Sequence, residues 1–130
     1  MKFVILIHSN PEPWGHPTSH YTAAGRAIPK ERRVEQDRQF EALLTEISAS
    51  GELVHAEALG DPASSTLFGR GADARVPTEG PYAETKEHLA GFFLIDCATR
   101  ERAEAIAVQF AGAGDTIELR PVMSGGGDDQ

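Results

Sequence analysis

The stretch from Lys30 to Ser50 contains neither proline nor glycine, and it sets Phe40, Leu43, Leu44 and Ile47 at the i, i+3, i+4, i+7 spacing that lines one face of a helix. Gly51 follows as a stop. A helix of this kind needs something flat to pack on, and strand-like runs flank it on both sides. Upstream, Phe3 to Ile7 is continuously apolar and rich in β-branched and aromatic residues, as suits a central strand covered on both faces. Downstream, Leu53 to Leu59 alternates. Leu53, His55, Glu57 and Leu59 point one way, and Val54, Ala56 and Ala58 point the other. The small apolar set fits close under a helix, which leaves His55 and Glu57 on the opposite face.

The remaining pattern completes one sheet. Ser9 to Pro29 is broken by prolines and glycines and reads as a long, partly ordered flap. Beyond Asp61-Pro62, Ser65 to Arg70 and Ala74 to Thr78 suit a hairpin or an irregular edge strand. Leu89 to Cys97 is a second strong strand, with Phe93, Ile95 and Cys97 alternating against Phe92, Leu94 and Asp96. Thr99 can cap a helix whose stripe is Ala103, Ile106, Ala107 and Phe110, and Thr116 to Val122 is the last strand. The order predicts an α+β fold: a ferredoxin-like split βαβ with an antiparallel sheet and two helices on one face. Residues 1–123 form the domain, with 9–29 as the flap and 124–130 as a flexible acidic tail. Two helices cannot cover both faces of a sheet. The bare face therefore predicts a partner, most economically a second copy across a two-fold axis.

Charge and composition narrow the function classes. A chain of 130 residues has room for one core. Its formal charge of -8, from 20 acidic and 12 basic side chains, would repel a phosphate backbone, so nucleic acid is not an expected partner. No apolar run approaches the roughly 18 residues of a membrane span. MKFVILIHS lacks the long apolar region and cleavage site of a signal peptide, and a cytoplasmic location is expected. Cys97 stands alone, which leaves no internal disulfide, and at the end of an apolar strand it reads as a small buried hydrophobe. A Walker loop, a dinucleotide-binding glycine motif and a nucleophile elbow are all missing, so neither nucleotide-dependent nor covalent chemistry is expected.

Several segments together resemble a known family. They are Lys2 to Ile7; Gly51-Glu52-Leu53-Val54 with Glu57 and Leu59 behind it; Glu79-Gly80-Pro81-Tyr82-Ala83-Glu84-Thr85-Lys86-Glu87; Gly91-Phe92-Phe93-Leu94-Ile95-Asp96; and Glu118-Leu119-Arg120-Pro121-Val122. The chain is similar to the YCII-related proteins, in the branch named for its DGPF motif. That resemblance implies a dimeric α+β barrel, in which two open sheet faces meet around a cleft. It also implies a bacterial setting in which such proteins are often encoded near extracytoplasmic-function sigma factors. The wider superfamily includes cofactor-independent isomerases, dehydrochlorinases and monooxygenases of small ring compounds. Two departures stand out. Asp-Gly-Pro-Phe is here Glu79-Gly80-Pro81-Tyr82, and the first-helix histidine of the YCII branch proper, half of a proposed His-Asp pair, falls at Phe40.

The candidate site follows from these readings. Gly80 and Pro81 are turn formers. If their turn edges the cleft, Glu79, Tyr82, Glu84 and Lys86 converge on a ligand; otherwise Glu84, Lys86 and Glu87 form a solvated ion-pair cluster. His55 and Glu57, two apart on one strand, make either an acid-base or anion-binding arrangement or a polar pair at a dimer seam. His8, at the end of the first strand, could join them, and Trp14 could wall a ligand site or anchor the flap. The expected catalytic set is thus His55, Glu57, Glu84 and Lys86, with ligand contacts from His8, Glu79, Tyr82 and Trp14. His16 and His20 lie in a proline-broken loop without metal-ligand spacing, so neither a metal nor a cofactor is expected. The function so read is cofactor-free isomerisation or elimination on a small organic molecule in a homodimer cleft. Glu57 or His55 would act as base, and Tyr82 or Lys86 would stabilise an oxyanion. The alternative is a non-catalytic ligand-sensing or accessory protein linked to a sigma factor system.

Overall fold

The computed structural model describes residues 1–11, 14, 23–68, 88–111 and 115–123. Its elements run β1 (Lys2–Ser9), a short helix α1 (Ala23–Arg26), α2 (Lys30–Ser50), β2 (Leu53–Ala58), a single 3₁₀ turn (Pro62–Ser64), β3 (His88–Asp96), α3 (Arg100–Val108) and β4 (Thr116–Pro121). The strands form one sheet in the order β2-β3-β1-β4, with antiparallel neighbours throughout. This is the split βαβ arrangement expected, with α2 and α3 as the two main helices. The flap carries one feature that the pattern did not suggest, the helical turn α1. The hairpin expected between Ser65 and Thr78 lies largely outside the described residues, which include a lone β-bridge at Thr66.

Local chemistry sets the helix ends. Gly51 terminates α2 with φ 84°, a conformation that side chains disfavour, and its N–H donates to the carbonyl of Ser48. Thr99 caps α3, its Oγ1 accepting from the N–H of Arg102 at 3.1 Å. Both helices press onto one face of the sheet. Phe3, Ile5, Ile47, Ile95 and Ile106 are completely enclosed there, and each such side chain contributes roughly 1.5–3 kcal/mol of burial. Phe40 sits edge-on to Phe93 and Phe110, with centroids 6.3 and 5.1 Å away. The position that would hold a histidine in the YCII branch proper is therefore part of an aromatic cluster.

Register decides which residues share a face. Along β1 and β4 the ladder is unbroken, pairing Ile5 with Leu119, Leu6 with Glu118, Ile7 with Ile117 and His8 with Thr116. Phe3, Ile5, Ile7 and Ser9 thus look toward the helices, while Val4, Leu6 and His8 look away. Between β2 and β3 the register slips: Leu53 pairs with Ile95 but His55 pairs with Leu94, leaving Val54 as the extra residue of a bulge. Simple alternation put Leu53 beside His55. The bulge instead turns Leu53 onto the core and keeps His55 and Glu57 on the open face.

At one end of the helix-covered side, Arg102 clasps the molecule. Its Nε and a terminal nitrogen donate to the two carboxylate oxygens of Glu52 at 2.8 and 2.9 Å, and the guanidinium also reaches Glu46 at 2.9 Å. The Ser50 hydroxyl adds a third bond to Glu52 at 2.8 Å. These bonds, Arg102 above all, hold the Glu52 carboxyl down at about 2. The clasp ties α3 to the α2–β2 step. Cys97 nearby is buried, and burial pushes its thiol up, which makes it the inert core residue expected.

Candidate functional site on the open face of the sheet

Among the described residues, the sheet face opposite α2 and α3 carries no helix and bears an apolar stripe between two polar rims. Phe92 and Leu94 of β3 and Val4 and Leu6 of β1 fill the middle, all half-buried. One rim is β2. There His55 and Glu57 meet side by side, Nε2 to Oε2 at 2.8 Å, with the His55 ring 6.1 Å from that of Phe92. The two side chains are 56% and 55% exposed, so the pair is open to whatever covers the face.

The other rim is β4. His8 points onto the open face, and its Nε2 lies 3.1 Å from Oε1 of Glu118. Arg120 Nε donates to the second oxygen of Glu118 at 2.8 Å. Arg120, and after it His8, holds the Glu118 carboxyl below the usual carboxylate range, so it is ionised at neutral pH. Each histidine therefore sits against a carboxylate that fixes its ring. With the Nε2 proton directed at the carboxylate, Nδ1 is left to accept or deliver a proton. Three strand spacings, about 14 Å, separate the rims, room for a small ring lying across the stripe.

His55 and Glu57 come together as the alternation implied, and His8 looks onto the same face. Trp14 donates its indole N–H to the carbonyl of Leu59 at 3.0 Å, just past the end of β2. Glu79, Tyr82, Glu84 and Lys86 lie outside the described residues, as do His16 and His20. Among the described residues no group of three or more metal-ligating side chains gathers, and no helix is long and apolar enough to cross a membrane. Sequence reasoning missed Glu118 as the partner of His8 and Arg120 as the partner of Glu118. Their signal was the alternation of Thr116, Glu118 and Arg120 against Ile117 and Leu119, which marks a polar face but not what lies opposite.

Gly91 lets β3 run close behind this rim. A Cβ added there would lie 2.8 Å from the carbonyl oxygen of Glu57, so β3 passes the backbone of the His55–Glu57 rim more closely than any other residue allows.

An uncharacterized protein of Rhizobium meliloti (strain 1021) is 31% identical over 88 residues, which cover 65% of this chain and 71% of that protein. A family model described as the YCII-related domain matches residues 1–124, spanning every strand and helix of the sheet described above. The chain belongs to the YCII-related domain family.

Proposed function

We propose that the chain binds a small organic molecule, cyclic or aromatic, across the apolar stripe of its open face, a second copy closing the cleft, and moves a proton on it without a cofactor. One observation carries this reading: two histidine–carboxylate pairs flank one apolar surface from opposite edges of the sheet. A carbon acid held over Phe92 and Leu94 would present its C–H to one rim and a carbonyl oxygen, conjugated to that carbon across the ring, to the other. His55, oriented by Glu57, or Glu57 itself takes the proton. The rim of His8 and Arg120 stabilises the enolate charge, with Tyr82 or Lys86 as further donors. Returning the proton elsewhere is isomerisation, and expelling a neighbouring leaving group is elimination.

Deuterium exchange tests this before any product is identified. Small ring compounds with an acidic C–H conjugated across the ring to a carbonyl are incubated with the protein in D₂O and followed by proton NMR. Exchange above the buffer rate is expected, lowered about 100-fold or more in E57Q or H55A. Wild-type exchange in both variants overturns the assignment. Native mass spectrometry of the same sample is expected to show a dimer. A dimer that holds a compound and returns it unexchanged supports instead a ligand-sensing module linked to a sigma factor system.

A further inference from the structure

We propose a second site, on the opposite side of the sheet from the first: a carboxylate-binding pocket formed by Ser9, His88 and Arg33. Three polar atoms are enclosed there with no hydrogen-bond partner: Ser9 Oγ, His88 Nε2 and Arg33 Nε. Ser9 is 3% exposed, the sole polar residue of the buried set among the described residues. Such groups are rare in folded proteins, because a buried donor left unmatched costs about 1–3 kcal/mol.

Topology brings the three to one end of the fold. Ser9 and His88 are direct partners in the β1–β3 ladder, and Ser9 shares the helix-covered side with Phe3 and Ile5. Arg33, Phe40 and Ile47 recur every seven residues along one stripe of α2, and Phe40 and Ile47 both pack on the sheet. From Ile47 back to Arg33 the helix rises about 21 Å. Six residues of strand, about 20 Å, separate Phe3 from Ser9 in the same direction. The two lengths match, which carries Arg33 toward the Ser9 end of the sheet.

Its placement is also costly for the helix. Arg33 stands near the positive end of α2 with Lys30 and Arg32, cations that the helix dipole disfavours there; Glu31 is the one acidic residue of the first turn, and Pro29 supplies no side-chain cap. Glu35 does not compensate, since it is held by Arg38 and Gln39. A cation set against the helix dipole, toward the same end as a serine and a histidine with nothing to bond, fits an anionic ligand. Arginine can only donate, and serine and histidine can, so the occupant is an acceptor. A carboxylate has lone pairs for all three donors at once, which one water does not. Asp115, half-buried just ahead of Thr116, the partner of His8, and the net charge of -8 select a single negative charge over a phosphate dianion.

The test uses the intact chain with sodium acetate, sodium phosphate and sodium chloride as probes at equal ionic strength. Thermal unfolding gives one readout, and NMR of the Arg33 Nε–H and His88 ring signals gives the other. Acetate is expected to raise the midpoint saturably over chloride and to move both signals together. R33Q should weaken acetate about tenfold or more, R33K less, while R100Q, at an exposed arginine paired with Glu104, keeps the wild-type response. Equal midpoints in acetate and chloride with unmoved signals overturn the site, as does a full response in R33Q. Saturation by phosphate alone overturns the carboxylate assignment.

Discussion

Arg102 and Arg33 stand on the helix-covered side of the same sheet, near opposite ends, and have opposite surroundings. Arg102 faces three carboxylate oxygens on two glutamates, one of which is bonded further to Ser50. Arg33 has an enclosed nitrogen with no acceptor, and Ser9 and His88 each have an enclosed polar atom in the same condition. A matched cluster joins elements and is best left undisturbed. An unmatched one weakens the free fold and is retained where a ligand completes it. The two arginines thus divide the molecule into an end that holds it together and an end that has bonds to offer.

The sharpest way to break this comparison is to remove each arginine in turn. R102A strands Glu52, whose side chain is only 18% exposed, and is expected to cost about 2–3 kcal/mol by urea denaturation. R33Q should change stability by less than about 0.5 kcal/mol, because no bond is lost. Equal costs would mean that both are structural.

Acid should find the same clasp. The folded Glu52 carboxyl titrates at about 2, below its ordinary 4.5, so its contribution is complete above the ordinary value and is lost as pH falls from there toward 2. Stability should drop by about 2 kcal/mol over that window from this group, allowing for its partial exposure. E52Q should remove that part of the slope, and an unchanged slope in E52Q would show that the clasp is not the acid-sensitive element.

A smaller effect probes whether the unmatched end is merely loose. Gly91 lies toward that end, paired with Ile7, and G91A must push against backbone rather than a movable side chain. About 1–2 kcal/mol of destabilisation is expected, together with shifted NMR signals at His55 and Glu57. A neutral G91A would mean that the strands part easily here. The unpaired Ser9 and His88 would then reflect slack rather than a site.

Much of this fold was legible in the sequence because its determinants are local. The seven-residue recurrence of Phe40 and Ile47, the stop at Gly51 and the cap at Thr99 act within a turn or two of chain, and each stands where the pattern put it. The pairing of His55 with Glu57 was legible for the same reason, being two residues apart on one strand. What needed the fold was anything set by register. Leu53 left the face of His55 through a bulge, and Glu118 met His8 from a distance of 110 residues. Arg33 is an intermediate case. Its awkward position at the start of a helix is visible in Lys30-Glu31-Arg32-Arg33, but the serine and histidine toward the same end appear only once β1 and β3 are paired.

The bulge at Val54 has a consequence for how copies of this chain can meet. Among the described residues β2 is an edge strand, and an edge strand normally offers its free backbone groups to any strand that approaches. An extra residue bends that row out of line, and the charged His55–Glu57 pair stands beside it. Continuation of the sheet from one molecule into the next is thereby discouraged, and the bulge leaves the broad face with its apolar stripe unaltered. Growth by strand addition has no natural end, whereas pairing face to face closes after two copies.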